Sequence, residues 1–445
     1  MNSRTHPLEG RELAAWMLAR AKDAGAEACR VRVHRRRFVS VRYRDRRPDL
    51  VSEASTRGLA LEVFKAGHYA SESTPDLRPA SLEGFAAQVL SRALLTEADP
   101  FRGLPGRERY GVPPALDLEL ADPAHASLSL GERHGVAREL EAACMDLAGP
   151  GLLSVEATAN DQDSEEWVLS SDGFEGRERG TEFWTGGLLS LRDEGGRRPE
   201  SWVYAGVRRR RDLPAVQAVA EELVRRARAG LGAGKIASAT LPVVVEGRCA
   251  GTLLGGFLAA LGGRSLQQGQ SFLAGRLGER VGSPAFTLVD DPFIPAGLGS
   301  RRYDGDGLPA RRRGLVDGGV LRAHLVDWYY SRKLGVEPTT GSPSNLVLPA
   351  GGRGLEAALK DLGRCVLVTE IIGGNANPTT GDFSAGIAGS LCEGGRPVRA
   401  LAEMNIAGNH LQLWQRLIEA AGEPYPWGTL RVPALVFDAV AVSGT

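Results

Sequence analysis

The chain has 445 residues, 42% hydrophobic and 24% charged, and its 54 basic and 54 acidic side chains cancel. That length exceeds one ordinary core and predicts two domains. The neutral balance excludes a nucleic-acid binder driven by overall charge, and no apolar run approaches the roughly 18 residues of a membrane-spanning helix.

Five scattered cysteines (Cys29, Cys144, Cys249, Cys365 and Cys392) form no C-x-x-C pair. They predict a reducing compartment rather than a disulfide framework. The N-terminus lacks the apolar core of a secretory signal, so the expected location is the cytoplasm.

In chain order, Leu13, Ala14, Met17, Leu18 and Ala21 recur at helical spacing, predicting a helix over 10–24 that Gly25 stops. Residues 28–34 and 38–43 alternate as a pair of strands, and 59–64 is another. A helix follows from about 81 to 95, and 102–126 is rich in Pro and Gly and reads as irregular. Ser129 and Glu132 fit a capping box that opens a helix carrying Val136, Leu140, Cys144 and Leu147. Strands are expected at 152–159, 166–170, 183–191 and 202–207, with a hairpin turn at Ser171-Asp172-Gly173. Asp212 is expected to cap a helix with Pro214 just inside it, ending near Gly230.

The boundary between domains is placed after Lys235, giving 1–235 and 236–445. The second half opens on a buried-type strand at 241–245 and a helix over 249–261. Short β runs with Gly-rich turns follow at 286–289, 313–316, 320–325, 365–372, 385–393, 397–405 and 434–442, with one late helix over 410–421. That density of short strands predicts a strongly curved antiparallel sheet, barrel or sandwich. The predicted class is therefore α+β: an N-terminal α+β domain with a curved antiparallel sheet, then a mainly antiparallel β domain with a few helices.

The loop 373–384 (Gly-Gly-Asn-Ala-Asn-Pro-Thr-Thr-Gly-Asp-Phe-Ser) offers backbone N–H groups and short polar side chains beside an apolar strand. Such a loop can clasp an extended peptide backbone, with Asn375, Asn377, Thr380, Asp382 and Ser384 as lining residues. It can equally be a tight loop satisfied by its own Asx-turns. Ser384 lacks the glycine that a nucleophile elbow needs two residues before it, since Asp382 stands there. Gly232-Ala233-Gly234-Lys235 is not a phosphate loop, because Ala229 and Ile236 break the pattern. The seven histidines contain no i, i+4 pair. The arginine runs 35–37, 44–47, 208–211 and 311–313 read as solvated surface, with a basic groove for acidic or extended peptides as the functional variant.

The glycine-rich stretches around 255 and 373, with Arg301-Arg302-Tyr303-Asp304-Gly305-Asp306-Gly307 and the ending Leu430-Arg431-Val432-Pro433-Ala434-Leu435, resemble the TldD/PmbA family. That family contains zinc peptidase subunits and metal-free companions. In the zinc subunits the helix matching 249–261 carries H-E-x-x-x-H, whose spacing sets two imidazoles on one metal and a carboxylate beside its water. Here the matching positions are Gly255, Gly256 and Ala260, and the distal cysteine ligand has no convincing match in Cys365 or Cys392. The resemblance therefore implies the metal-free (TldE-like) branch: no catalytic residue and no cofactor in this chain. It implies a heterodimer with a TldD-like zinc subunit that acts on extended or unfolded peptides, in maturation or degradation, with no nucleic acid or membrane partner. A stand-alone peptide-binding homodimer and a metal-independent hydrolase are the alternatives.

Overall fold

The computed structural model describes residues 9–111 and 115–444. Helix α1 (Gly10–Asp23) lies where the periodicity places it, and its apolar stripe is buried. Strands β1 (Ala28–Arg44), β2 (Arg47–Lys65) and β3 (His68–Thr74) follow. After them come α2 (Pro79–Leu82), α3 (Phe85–Ala93) and α4 (Leu130–Ala148), the last opened by a complete Ser129–Glu132 capping box. Then come β4 (Leu152–Ser170), β5 (Glu175–Leu191), β6 (Glu200–Val207) and α5 (Val216–Ala229).

The six strands form one antiparallel sheet in the order β3-β2-β1-β4-β5-β6. Strand alternation divides it into two faces. Val31, Val33, Leu61 and Val63 meet α1 and α3 on one face, and Val155, Ala157, Leu189 and Leu191 meet α4 and α5. On the other face Arg30, buried to 5% exposure, donates to Gly305 O and pairs with Glu62 and Asp306.

Two expectations change here. The stretches 28–34 and 38–43 are one continuous strand, as are 152–159 and 166–170. The polar residues between them, which read as breaks, pair with one another across the sheet: Arg35 lies 3.4 Å from Asp163 and 3.5 Å from Glu165. Cross-strand charge pairs sustain a strand where hydrophobic alternation lapses. Asp212 does not cap α5, whose N-cap is Ala215 without a side-chain bond; its carboxylate takes Arg209 Nε at 2.6 Å instead.

The second half begins with β7 (Ala239–Val245), α6 (Gly247–Leu261) and α7 (Gly263–Gln267). A small sheet of β8 (Leu288–Asp290), β9 (Arg313–Asp317), β10 (Val320–Leu321), β11 (Leu346–Val347) and β16 (Leu430–Arg431) lies beside it. Helices α8 (Trp328–Leu334) and α9 (Leu355–Asp361) are short. The main sheet is built from β7, β12 (Arg364–Ala376), β13 (Asp382–Glu393), β14 (Arg396–Asn409), β15 (Leu417–Ala421) and β17 (Ala434–Ser443). Its order is β14-β13-β12-β7-β17-β15, and β14 also pairs with β17. Five strands thus close on themselves, a barrel whose α6-side core holds Phe257, Phe286, Trp414 and Phe437.

The late helix is shorter than expected. α10 spans His410–Gln415, and from Leu417 the chain becomes β15, because pairing with β17 captures the apolar residues that continued the helical pattern. All five cysteines are free and buried. Among the described residues no helix is long and apolar enough to cross a membrane.

Candidate functional site

Helix α6 fixes one side of the site. It buries Leu253, Leu254, Phe257, Ala260 and Leu261 and turns Thr252, Gly255 and Ala259 outward. A Cβ built on Gly255 would meet nothing within 4 Å. Gly256 is the opposite case. A Cβ there would fall inside van der Waals contact with His410 Nε2 and lie 2.8 Å from Ala376 Cβ.

His410 is the residue that sequence reasoning missed. It is 1% exposed, and neither ring nitrogen has a hydrogen-bond partner among the described residues. Its ring stacks on Phe272 (5.8 Å between centroids, 7° between planes) and tilts against Phe383 at 5.0 Å. Burial alone pushes its pKa down to about 4, so the ring is neutral at pH 7. No sequence spacing connects it to Gly256, 154 positions earlier by the numbering; only the barrel brings β14's end over α6.

The other side of the site is β12. It pairs with β7 only over Val366–Val368. Beyond that, Cys249 Sγ donates to Thr369 O at 2.9 Å, and the strand runs past α6 to Ala376. Burial pushes the Cys249 thiol up to about 12, so it is a packed neutral group and not a ready thiolate. Ile372 is 59% exposed, and 372–377 are all exposed.

The expected lining residues are gathered on the β12–β13 hairpin and divide into two kinds. Asn377 Oδ1 accepts from Thr379 N at 2.9 Å, an Asx-turn. Thr380 Oγ1 donates to Asp382 Oδ2 at 2.7 Å, and Asn409 Nδ2 donates to Thr380 O and to Asp382 Oδ1 at 2.9 and 3.0 Å. These bonds from Asn409 and Thr380 hold the exposed Asp382 carboxyl below its ordinary pKa. Ser384 Oγ exchanges hydrogen bonds with the Asn405 amide at 3.1 and 3.2 Å, and no histidine bonds it among the described residues. The loop is thus largely self-satisfied from 377 to 384. Asn375 alone of the five makes no side-chain hydrogen bond among the described residues, and it is exposed.

The site does not fit a catalytic metal. Gly255, Gly256 and Ala260 supply no donor atom, and the buried His410 imidazole is boxed by two aromatic rings without a second ligand. Among the described residues no group of three His, Cys, Asp or Glu side chains is placed to hold an ion.

Comparison with known proteins gives a consistent answer. Three sequence profiles match in order: PmbA/TldA metallopeptidase domain 1 over residues 29–93, the central domain over 123–231, and the C-terminal domain over 238–444. The metalloprotease PmbA of Escherichia coli O157:H7 is 26% identical over 441 residues, 98% of this chain and 96% of that protein. A PmbA homologue of Haemophilus influenzae is 26% identical over 442 residues, with the same shares. A crystal structure from Bacteroides thetaiotaomicron, of a protein described as a candidate modulator of DNA gyrase, superposes with a TM-score of 0.94 at 31% identity, covering 98% of this chain and 99% of that one. TldE from Thermococcus kodakarensis has the same fold, with a TM-score of 0.86 at 20% identity over 97% of this chain and all of that one. The chain belongs to the PmbA/TldD metallopeptidase family.

Proposed function

We propose that this chain is the non-catalytic, TldE-like subunit of a heteromeric metalloprotease whose zinc lies in a TldD-like partner. One observation carries the reading: the helix positions that would grip zinc are two glycines and an alanine, and His410 fills the space a side chain on Gly256 would need. The chain would complete the cleft and hold an extended or unfolded peptide for maturation or degradation. Beyond Thr369 the β12 edge pairs with no second strand among the described residues, which leaves it open to an added strand. Asn375 offers a free amide, while Asn377, Thr380, Asp382 and Ser384 form the braced hairpin that presents it. In this reading 1–235 and 236–445 act as two domains of a cytoplasmic protein, with no nucleic-acid or membrane partner.

The test is metal analysis with a cleavage assay. The purified chain should hold no stoichiometric zinc and leave casein intact, whereas adding a TldD-like subunit should give chelator-sensitive cleavage. Stoichiometric zinc in the isolated chain, or cleavage without a partner, overturns the proposal.

A further inference from the structure

Arginines far apart in sequence, two of them from the run 208–211, line one cavity of the first half. It measures about 600 Å³ and is lined by Arg177 and Arg179 of β5, Arg209 and Arg211 after β6, and Arg302 from the second half. Asp117, Glu119 and Asp122 are the lining carboxylates, and each has a protein partner. Asp117 accepts from Glu119 N at 2.9 Å, Glu119 pairs with Arg209, and Asp122 accepts from Ala124 N and Arg210 N, both at 2.9 Å.

Arg177 and Arg209 are matched as well, to Glu165 and Asp212 at 2.6 Å each, but the other three arginines are less fully so. Arg179 gives two long hydrogen bonds to Asp163, from Nε at 3.4 Å and Nη2 at 3.3 Å, and Arg211, 74% exposed in its side chain, reaches Glu119 and Asp212 only at 3.8 and 3.9 Å. Arg302 has no ion pair among the described residues and gives one hydrogen bond, to Leu116 O at 3.2 Å. Three guanidinium groups therefore keep donors to spare around one opening.

The cavity also borders an open strand edge. β6 covers β5 only from Phe183 to Ser190, and Leu120 O takes the Thr181 N–H. Among the described residues no strand pairs with β5 on that side between Glu175 and Gly180. Arg177 and Arg179, two apart, project on one face of this edge.

We infer that this groove binds an acidic, extended polypeptide segment, which adds to the free edge of β5 and sets alternate carboxylates against Arg179, Arg211 and Arg302. The edge chooses the partner class. It presents backbone donors and acceptors in alternation, which a peptide strand answers with both, whereas a phosphate chain offers acceptors only. The zero net charge of the chain also withholds the long-range attraction a nucleic acid would exploit. This site shares no residue with the β12–β13 hairpin and does not depend on a catalytic partner.

Fluorescence anisotropy on the isolated full chain tests it, with a labelled peptide of alternating Glu and Val. The Glu peptide should bind about tenfold or more tighter than its Gln counterpart, and Arg211→Glu and Arg302→Glu should each weaken it about tenfold. Because Arg211 is exposed, R211E keeps the fold, as an unchanged melting midpoint should verify. Asn375→Ala should leave this affinity unchanged, which separates the groove from the proposed cleft. Equal binding of the Glu and Gln peptides, wild-type affinity in both arginine variants, or displacement by single-stranded DNA as effective as by unlabelled peptide overturns the inference.

Discussion

The two halves of the molecule bury histidine in opposite ways. His125, 4% exposed, bonds Asp161 through Nε2 at 2.7 Å, and Asp161 also takes Arg133 Nε and Nη2 at 2.5 and 2.8 Å. Burial pushes the Asp161 carboxyl up, but the bonds from Arg133 and His125 outweigh it and leave the pKa lowered. His410 is buried more deeply, among Phe272, Phe383 and Gly256, with no hydrogen-bond partner among the described residues. An unpaired buried polar group costs stability that an apolar ring would not. The first region uses polar chemistry to hold a fold; the second carries an imidazole that does no such work, beside the donor-free Gly255–Gly256 stretch of α6.

The largest effect comes from breaking the paired region. Asp161→Ala strands the Arg133 guanidinium, 4% exposed, without its counter-charge. The expected loss is about 3–5 kcal/mol in urea unfolding. A loss below about 1 kcal/mol would show that the network is decorative.

The unpaired histidine is tested by pH. Its folded pKa, about 4, lies below the ordinary value of 6.5, so the unfolded chain binds the proton more readily. Its neutral form stabilises the fold fully above pH 6.5, and that contribution drains away as the pH falls towards 4. The loss should reach about 3 kcal/mol relative to His410→Leu, whose stability lacks this slope. Parallel pH profiles for the two proteins would mean that His410 has a partner in solution.

Much of the frame was legible because it rests on local chemistry. The α1 stripe, the Ser129–Glu132 box and the apolar run of α6 each carry their signal within one or two helical turns. The long strands were not, because 35–37 and 160–165 are polar and find their partners only across the sheet. The helix expected through 421 failed for a related reason: Leu417 pairs with Phe437 in β17, and strand pairing overrode helical spacing. At the candidate site, the small residues that let α6 pack closely at Gly256 and Ala260 could be read from the chain. The braced state of Thr380 and Asp382 could not, since Asn409 comes from a different strand. Nor could the contact between His410 and Gly256, which exists only once the barrel closes.

That contact gives the smallest and most discriminating pair of predictions. Gly255 and Gly256 are adjacent in one helix, so replacing either by Ala gives the same helix-propensity gain, about 1 kcal/mol. At Gly256 the new methyl must displace His410 and Ala376, and overpacking of that kind costs about 1–3 kcal/mol, enough to cancel or reverse the gain. At Gly255 the methyl enters open space, so the full gain should survive. The second methyl also separates packing from pH: Gly256→Ala should lose the His410 part of its penalty in a His410→Ala background, because that ring is gone, and keep the part due to Ala376 Cβ, 2.8 Å away. Gly255→Ala should gain the same amount in either background. If the double variant showed no such coupling, His410 would not be what fills the space beside Gly256.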